Sequence, residues 1–299
     1  MPKSKPKGTS LLDALVEIIR KTSCDLPKDI SAAIERGHQA EPDGSRGKYA
    51  MQIILENIKM AREKSQPVCQ DTGTILFFIK YPGGFDAEKL AGVATKAVRE
   101  ATKRGYLRQN SVDSLTGRNS GTNVGPGSPV LHLEPWRKNY FDIRLVLKGG
   151  GSENMSTQYS LPDTRLGAGR DLDGVCKCVL DATHKAQGRG CGPGVLGVCV
   201  GGDRGTGYMH AKEQLLRKLD DRNINPDLAR IESECLRLGN RLGIGPMGFG
   251  GSTTLLGVKI GALNRLPASF FVSIAYMCWA ERRQGARVEK NGRIKKWFY

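Results

Sequence analysis

The stretch QPVCQDTGTILFF, residues 66–78, decides how this chain reads. Its second half, continued to Tyr81 as TILFFIKY, is aliphatic and aromatic apart from Thr74 and Lys80. Such a run predicts a strand buried on both faces. Its first half places a thiol, an amide and a carboxylate, Cys69, Gln70 and Asp71, at the mouth of that strand, with Gly73 to make the turn. Three readings of Cys69 stand open on this evidence: a nucleophile, a metal ligand, or a buried thiol beside a turn.

Working outward, residues 10–64 read as helical. Ser10 is placed to cap the first helix, with Asp13 in its first turn. KYAMQIILENIKMAREKS carries apolar residues at helical spacing. After the strand, FDAEKLAGVATKAVREATKRG is a second amphipathic helix with Asp86 at its cap. Residues 107–128 form a long polar loop, and a loop of that length inside a domain is usually functional or disordered. PVLHLEPW and YFDIRLVLKGG read as two strands of a hairpin. LDGVCKCVLDATHKA, MHAKEQLLRKLDD and PDLARIESECLRLGNRLG read as helices. GVLGVCV, TTLLGVKIGAL and ASFFVSIAYMCWA read as strands. The expected class is α/β, mixed α+β, with sheets flanked by helices and glycine-rich loops at strand ends. Residues 1–9 are expected to be a disordered basic tail, 10–285 one domain, and 286–299 a C-terminal tail.

Composition narrows the function. With 46 basic and 30 acidic residues the chain carries a net charge of +16, which favours anionic partners. The basic residues are scattered, and aromatic residues make up only 6% of the chain, so stacking platforms for nucleic acid are scarce. No helix-turn-helix or zinc-finger spacing is present. Small anionic substrates account for the charge as well as nucleic acid does. No run of eighteen apolar residues exists to span a membrane. The N-terminus has no signal-peptide core, and a cytoplasmic protein is expected.

Eight cysteines and four histidines are present, without a CxxC pair or an HExxH. Cys176, Cys178, Cys199 and Cys235 lie in apolar runs and read as core, since free cysteine is among the most buried residue types. Cys24 ends a helix. Cys69, Cys191 (in GRGCGPG) and Cys278 (in AYMCWAERR) differ, because each falls where an apolar element meets a polar loop. Three thiolates are enough to hold a metal or cluster with one coordination position left for substrate. In KGGGSENMS, residues 148–156, successive glycines allow backbone N–H groups to converge on an anion, with Ser152 and Asn154 adding short polar side chains. A plain turn is the competing reading. Arg108 opens the long loop, placed either to grip a carboxylate or to stand in solvent. GIGPMG, residues 243–248, fits GxGxxG with a helix before it and a strand after it. That is the reverse of a dinucleotide fingerprint, so it reads as a flexible helix-to-strand connection.

Taken in order, PVCQDTG, KGGGSENMS, CGPGVLGVCVGG, NRLGIGPMGFGG and SIAYMCWAERR give the chain, from about residue 10 to 285, a resemblance to the iron–sulfur hydro-lyases. These are the class I fumarate hydratases and L-tartrate dehydratases, and the likeness is to the α subunit or N-terminal domain. The resemblance implies a 4Fe–4S cluster held by Cys69, Cys191 and Cys278, its fourth iron left open to act as a Lewis acid. It implies that Gln70, Arg108 and the backbone of Gly149, Gly150 and Gly151, with Ser152 and Asn154, bind a small dicarboxylate. It makes Asp71 the candidate for proton handling. It also implies a β subunit that carries the remaining site residues, in a heterodimer or heterotetramer, with the α chain alone inactive or poorly active. GGGSENMS is closer to the fumarate enzymes than to the tartrate ones. Two departures stand out: CGP replaces the family's CPP, and Leu266 stands where relatives often carry a histidine.

Overall fold

The computed structural model describes residues 10–299, so the expected tail at 1–9 lies outside the described residues. The chain divides into two compact units. Each has its own sheet, and the mixed α and β class expected from the sequence is found in both.

The first unit takes residues up to Pro27, Asn57–Lys148 and Arg282–Tyr299. Its sheet has the order β2-β1-β3-β8-β9, from β1 (Thr74–Pro82), β2 (Val130–Trp136), β3 (Tyr140–Lys148), β8 (Arg282–Glu289) and β9 (Ile294–Trp297). The core lies between this sheet and two helices, α1 (Leu11–Cys24) and α4 (Ala87–Lys103). Leu15, Ile18 and Ile19 of α1 and Leu90, Ala94, Ala97, Val98 and Ala101 of α4 recur at helical spacing. They pack on Ile75, Phe77, Phe141 and Leu145. Burying each large aliphatic or aromatic side chain contributes about 1.5–3 kcal/mol. The helix starts are as the sequence predicts. Ser10 and Asp13 form a capping box, and the Asp86 carboxylate accepts the N–H groups of Glu88 and Lys89.

The expected hairpin does not form. β2 pairs parallel with one edge of β1, and β3 pairs antiparallel with the other. β1 is the strand buried at Ile75, Leu76, Phe77 and Ile79, and its ladder groups need partners on both sides. The three-residue link 137–139 crosses beyond its end, where Pro82 has no N–H to offer. The stretch 286–299, set apart above as a tail, continues β8 and supplies β9, and Ala286 and Val288 are core residues.

The second unit takes Lys28–Glu56 and Gly149–Glu281. Its sheet has the order β4-β7-β5-β6, from β4 (Thr157–Ser160), β5 (Gly194–Val200), β6 (Leu255–Ala262) and β7 (Phe271–Met277). Helices α2 (Lys28–Ala40), α6 (Leu172–Ala186), α7 (Arg204–Gln214) and α8 (Pro226–Asn240) belong to this unit. α3 (Arg46–Lys64) has residues in each unit. β5 and β7 are buried along nearly their whole length, as their apolar runs predict. The outer edge of β6 is closed at Ile260 by side chains. Glu232 accepts its N–H at 2.7 Å and Asn223 donates to its carbonyl at 2.8 Å. Among the described residues no helix is long and apolar enough to cross a membrane.

Candidate active site

In the first unit, Cys69 lies in the bend before β1, half-buried, with Gln70 exposed and Asp71 half-buried beside it. The Cys69 sulfur accepts the Asp71 N–H at 3.5 Å. The Asp71 carboxylate accepts the Gly73 N–H at 2.8 Å, and Gly73 has φ +75°, so the QDTG turn closes on itself. The Arg282 guanidinium donates to the Asp71 carbonyl.

Arg108 is tied to this turn through its backbone. Thr72, buried, donates its hydroxyl to the Arg108 carbonyl at 2.7 Å and its N–H to Asn110 at 3.0 Å. The hub of the long polar loop is Asn123, buried and left-handed at φ +58°. Its amide donates to the Arg108 carbonyl (2.7 Å) and to Thr102 Oγ1 (3.1 Å). Its oxygen accepts the N–H groups of Asn110 and Ser111. The loop is thus ordered around one asparagine and holds Arg108 next to QDTG with its side chain exposed. Sequence reading passed over Thr72 and Asn123. The only available signal was an asparagine amid glycines, a residue that tolerates positive φ.

In the second unit, KGGGSENMS is not an open loop. Gly150–Asn154 form one helical turn, α5, and the Gly149 carbonyl accepts the Glu153 N–H at 2.9 Å. Gly149 and Ser152 are buried, while Gly150, Gly151 and Asn154 are exposed. Ser152 turns its hydroxyl to the Cys278 N–H at 3.2 Å, and Glu153 is ion-paired to Lys212 at 2.6 Å. Cys278 follows the last residue of β7, at the strand end expected for it.

Cys191 leaves a 3₁₀ turn, Gln187–Gly190, in the left-handed conformation (φ 50°, ψ 56°). A non-glycine residue held there costs about 1–3 kcal/mol, and such strain clusters at functional sites. The turn is held from two sides. The Trp279 N–H donates to the Cys191 carbonyl (3.2 Å), which links the two cysteine segments. GIGPMG, read above as a flexible connection, packs backbone to backbone against the turn. The Met247 N–H donates to the Gly192 carbonyl at 3.0 Å, and a Cβ on Gly188 would lie 2.8 Å from the Met247 carbonyl. That connection is itself anchored by Glu41, a buried carboxylate past the end of α2 that accepts the N–H groups of Ser252 and Thr253.

The Tyr276 ring fills the space beneath Cys191. A Cβ on Gly190 would lie 2.5 Å from its hydroxyl oxygen, and one on Gly194 2.6 Å. Gly190 and Gly194 of the GRGCGPG segment are therefore needed for this ring. Gly192 is not, since its nearest neighbours would stand at 3.6 Å. The first proline position of CPP, Gly192 here, thus has room for a Cβ. Burial pushes the Tyr276 phenol up, and Cys278 and Cys191 push it the same way, so it is an O–H donor. Leu266, in the loop after β6, is exposed and supplies no polar side chain.

The eight described cysteines form no disulfide. Five are buried. Cys69 and Cys278 are half-buried and Cys191 is exposed, so the three singled out in the sequence are those within reach of a ligand. Burial pushes the thiols of Cys24 up to about 11 and of Cys178 and Cys199 up to about 12. Among the described residues no group of three or more His, Cys, Asp or Glu side chains is gathered to hold a metal. Within the second unit the Trp279 N–H to Cys191 carbonyl bond joins the Cys191 and Cys278 segments; Cys69 belongs to the first unit. The donor set suits an iron–sulfur group in kind: soft thiolates at loop edges.

A family model described as fumarate hydratase (fumerase) matches residues 12–287. The chain belongs to the fumarate hydratase family. A Geobacillus stearothermophilus protein carrying, by provisional assignment, the name class I fumarate hydratase is 53% identical over 293 residues. The alignment covers 97% of this chain and 57% of that relative, so the chain spans little more than half its length. A Methanocaldococcus jannaschii protein, provisionally named L(+)-tartrate dehydratase subunit alpha, is 34% identical over 94% of this chain and 99% of its own length. The Escherichia coli K12 L(+)-tartrate dehydratase subunit alpha is 30% identical, over 94% and 92%. The fumarate hydratase match thus takes in both the Cys69 turn of the first unit and the Cys191 and Cys278 segments of the second.

Proposed function

We propose that the chain is the cluster-bearing α subunit of a hydro-lyase that reversibly hydrates fumarate to malate. The observation that carries this reading is the 53% identity to the Geobacillus protein named as a class I fumarate hydratase, over 97% of the chain. In this reading Cys69, Cys191 and Cys278 hold a 4Fe–4S cluster. When bound, its open iron supplies a Lewis acid for the substrate hydroxyl and carboxylate, with no electron transferred. The exposed Arg108 grips one carboxylate of the diacid with its planar fork. Gln70 and the exposed turn at Gly150, Gly151 and Asn154 contact the remainder, with Gly149 and Ser152 buried beneath them. Asp71 moves or positions the proton at the carbon beside a carboxylate, its carboxylate already oriented by the Gly73 N–H.

The relatives named as α subunits, matched over 99% and 92% of their lengths, support a separate β subunit as partner, in a heterodimer or heterotetramer. The same matches favour a second reading, an L-tartrate dehydratase α subunit. Eight cysteines without a disulfide accord with a cytoplasmic setting.

The test is direct. The chain is loaded anaerobically with iron and sulfide, mixed with the β subunit, and given fumarate or L-tartrate. Fumarate absorbance is expected to fall only when both chains are present, and turnover of tartrate alone would make the second reading the right one. If Cys69→Ser, Cys191→Ser and Cys278→Ser each keep a full complement of iron, the ligand assignment is wrong.

A further inference from the structure

Tyr276 is a polar side chain that the proposed chemistry does not use. Only 3% of its surface is exposed, on a strand whose other residues are core. Its backbone N–H donates to Ser156 Oγ at 3.1 Å. Its hydroxyl lies at the end of the ring that reaches the backbone beside Cys191.

The surroundings show what the hydroxyl faces. It lies where Cβ atoms on Gly190 and Gly194 would fall, so it sits under the backbone on both sides of Cys191. It is two residues before Cys278, which follows the last residue of the strand. The Trp279–Cys191 hydrogen bond draws the second cysteine segment to the first. Two glycines and a buried strand position are thus committed to holding this ring against the Cys191 segment.

We propose that Tyr276 is a positioning residue whose hydroxyl donates a hydrogen bond to sulfur at the Cys191–Cys278 pair, to a thiolate or to a sulfide of the group bound there. The proposal rests on the cluster reading above. A hydrogen bond to sulfur stabilises the more negative, reduced state and so raises a cluster's reduction potential. It would also fix the orientation of the two thiolates.

The test compares wild type and Tyr276→Phe after anaerobic loading with iron and sulfide. Phenylalanine keeps the ring between Gly190 and Gly194, so fold and iron content are expected to match wild type. The midpoint potential of the variant is expected to shift to a more negative value. The iron–sulfur stretching bands, which move between H2O and D2O in wild type, are expected to move less. A fully loaded variant with unchanged potential and an unchanged isotope shift overturns the proposal while leaving the cluster reading in place. A wild-type chain that takes up no iron overturns both. Wild-type bands insensitive to D2O overturn the hydrogen bond even if the variant cannot be made.

Discussion

The Ser152 hydroxyl accepts the Cys278 N–H at 3.2 Å, so a residue of the glycine-rich turn fixes the backbone of a proposed cluster ligand. Ser152 is withdrawn from water, being 4% exposed, and Cys278 is half-buried. Ser152→Ala strands the cysteine N–H and is expected to cost about 1–3 kcal/mol. Chemical denaturation of the apo chain measures that cost, and slower iron uptake on reconstitution is its functional counterpart. A variant as stable as wild type would show that the bond contributes nothing.

The two glycines around Cys191 make opposite predictions. Gly190→Ala drives a methyl group to within 2.5 Å of a buried phenol and is expected to destabilise by about 1–3 kcal/mol. Gly192→Ala meets nothing nearer than 3.6 Å and is expected to stay within about 0.5 kcal/mol of wild type. Melting temperatures of the pair, measured side by side, decide the matter.

How much of this was legible in the sequence follows from which interactions carry periodic signals. The strand TILFFIKY, the helices around Leu15 and Leu90, and the three cysteines at element edges were all readable, because apolar spacing and residue chemistry are local. β8 was not, since RRQGARVE buries Arg282, Arg283 and Gln284 and shows no apolar alternation. The pairing of β2 and β3 with β1 depends on which strand needs two neighbours, which a hairpin-length link conceals. Tyr276 read as one more apolar residue of a buried strand. Its polar end matters only because Gly190 and Gly194, some eighty residues away, leave it space.

Arg108 offers a test of binding. If its guanidinium forks a substrate carboxylate, Arg108→Lys replaces a bidentate contact with a point charge. KM for fumarate is then expected to rise about tenfold, equivalent to ~1.4 kcal/mol, with a smaller change in kcat. Asn123→Ala probes the same arginine from below by removing the amide that ties its carbonyl to Thr102. It is expected to raise KM as well and to open the loop 107–128 to proteolysis. A KM unmoved in both variants would place Arg108 outside the binding site.

The five buried cysteines predict both selectivity and a pH dependence. Alkylation of the native apo chain near neutral pH is expected to label Cys69, Cys191 and Cys278, with the others labelled only on unfolding. Mass spectrometry of the digest reads this out. For Cys24, Cys178 and Cys199 the folded state holds the thiol proton up to about 11 to 12, while an unfolded thiol releases it near 9. Above that point the unfolded state binds fewer protons than the folded one. Stability is therefore full below pH 9 and falls as pH rises toward 12. Urea midpoints measured from pH 8 to 11 are expected to decline, and a Cys178→Ala, Cys199→Ala double variant is expected to decline less steeply.

Glu41 predicts that support for Cys191 reaches far along the chain. Its carboxylate accepts Thr253 N–H at 2.7 Å and Ser252 N–H at 3.2 Å, and a Cβ on Gly251 would lie 2.3 Å from it. Removing it leaves two N–H groups without their acceptor in the loop whose Met247 holds the Gly192 carbonyl. Glu41→Ala is expected to cost about 2–6 kcal/mol, from two stranded donors at about 1–3 kcal/mol each. Glu41→Gln keeps one oxygen for Thr253 and is expected to recover part of that loss. Iron bound per chain after anaerobic loading is expected to follow the same order, wild type above Gln above Ala. Equal iron in all three, with stability lost only in the alanine variant, would confine Glu41 to the fold and sever it from the cysteine turn.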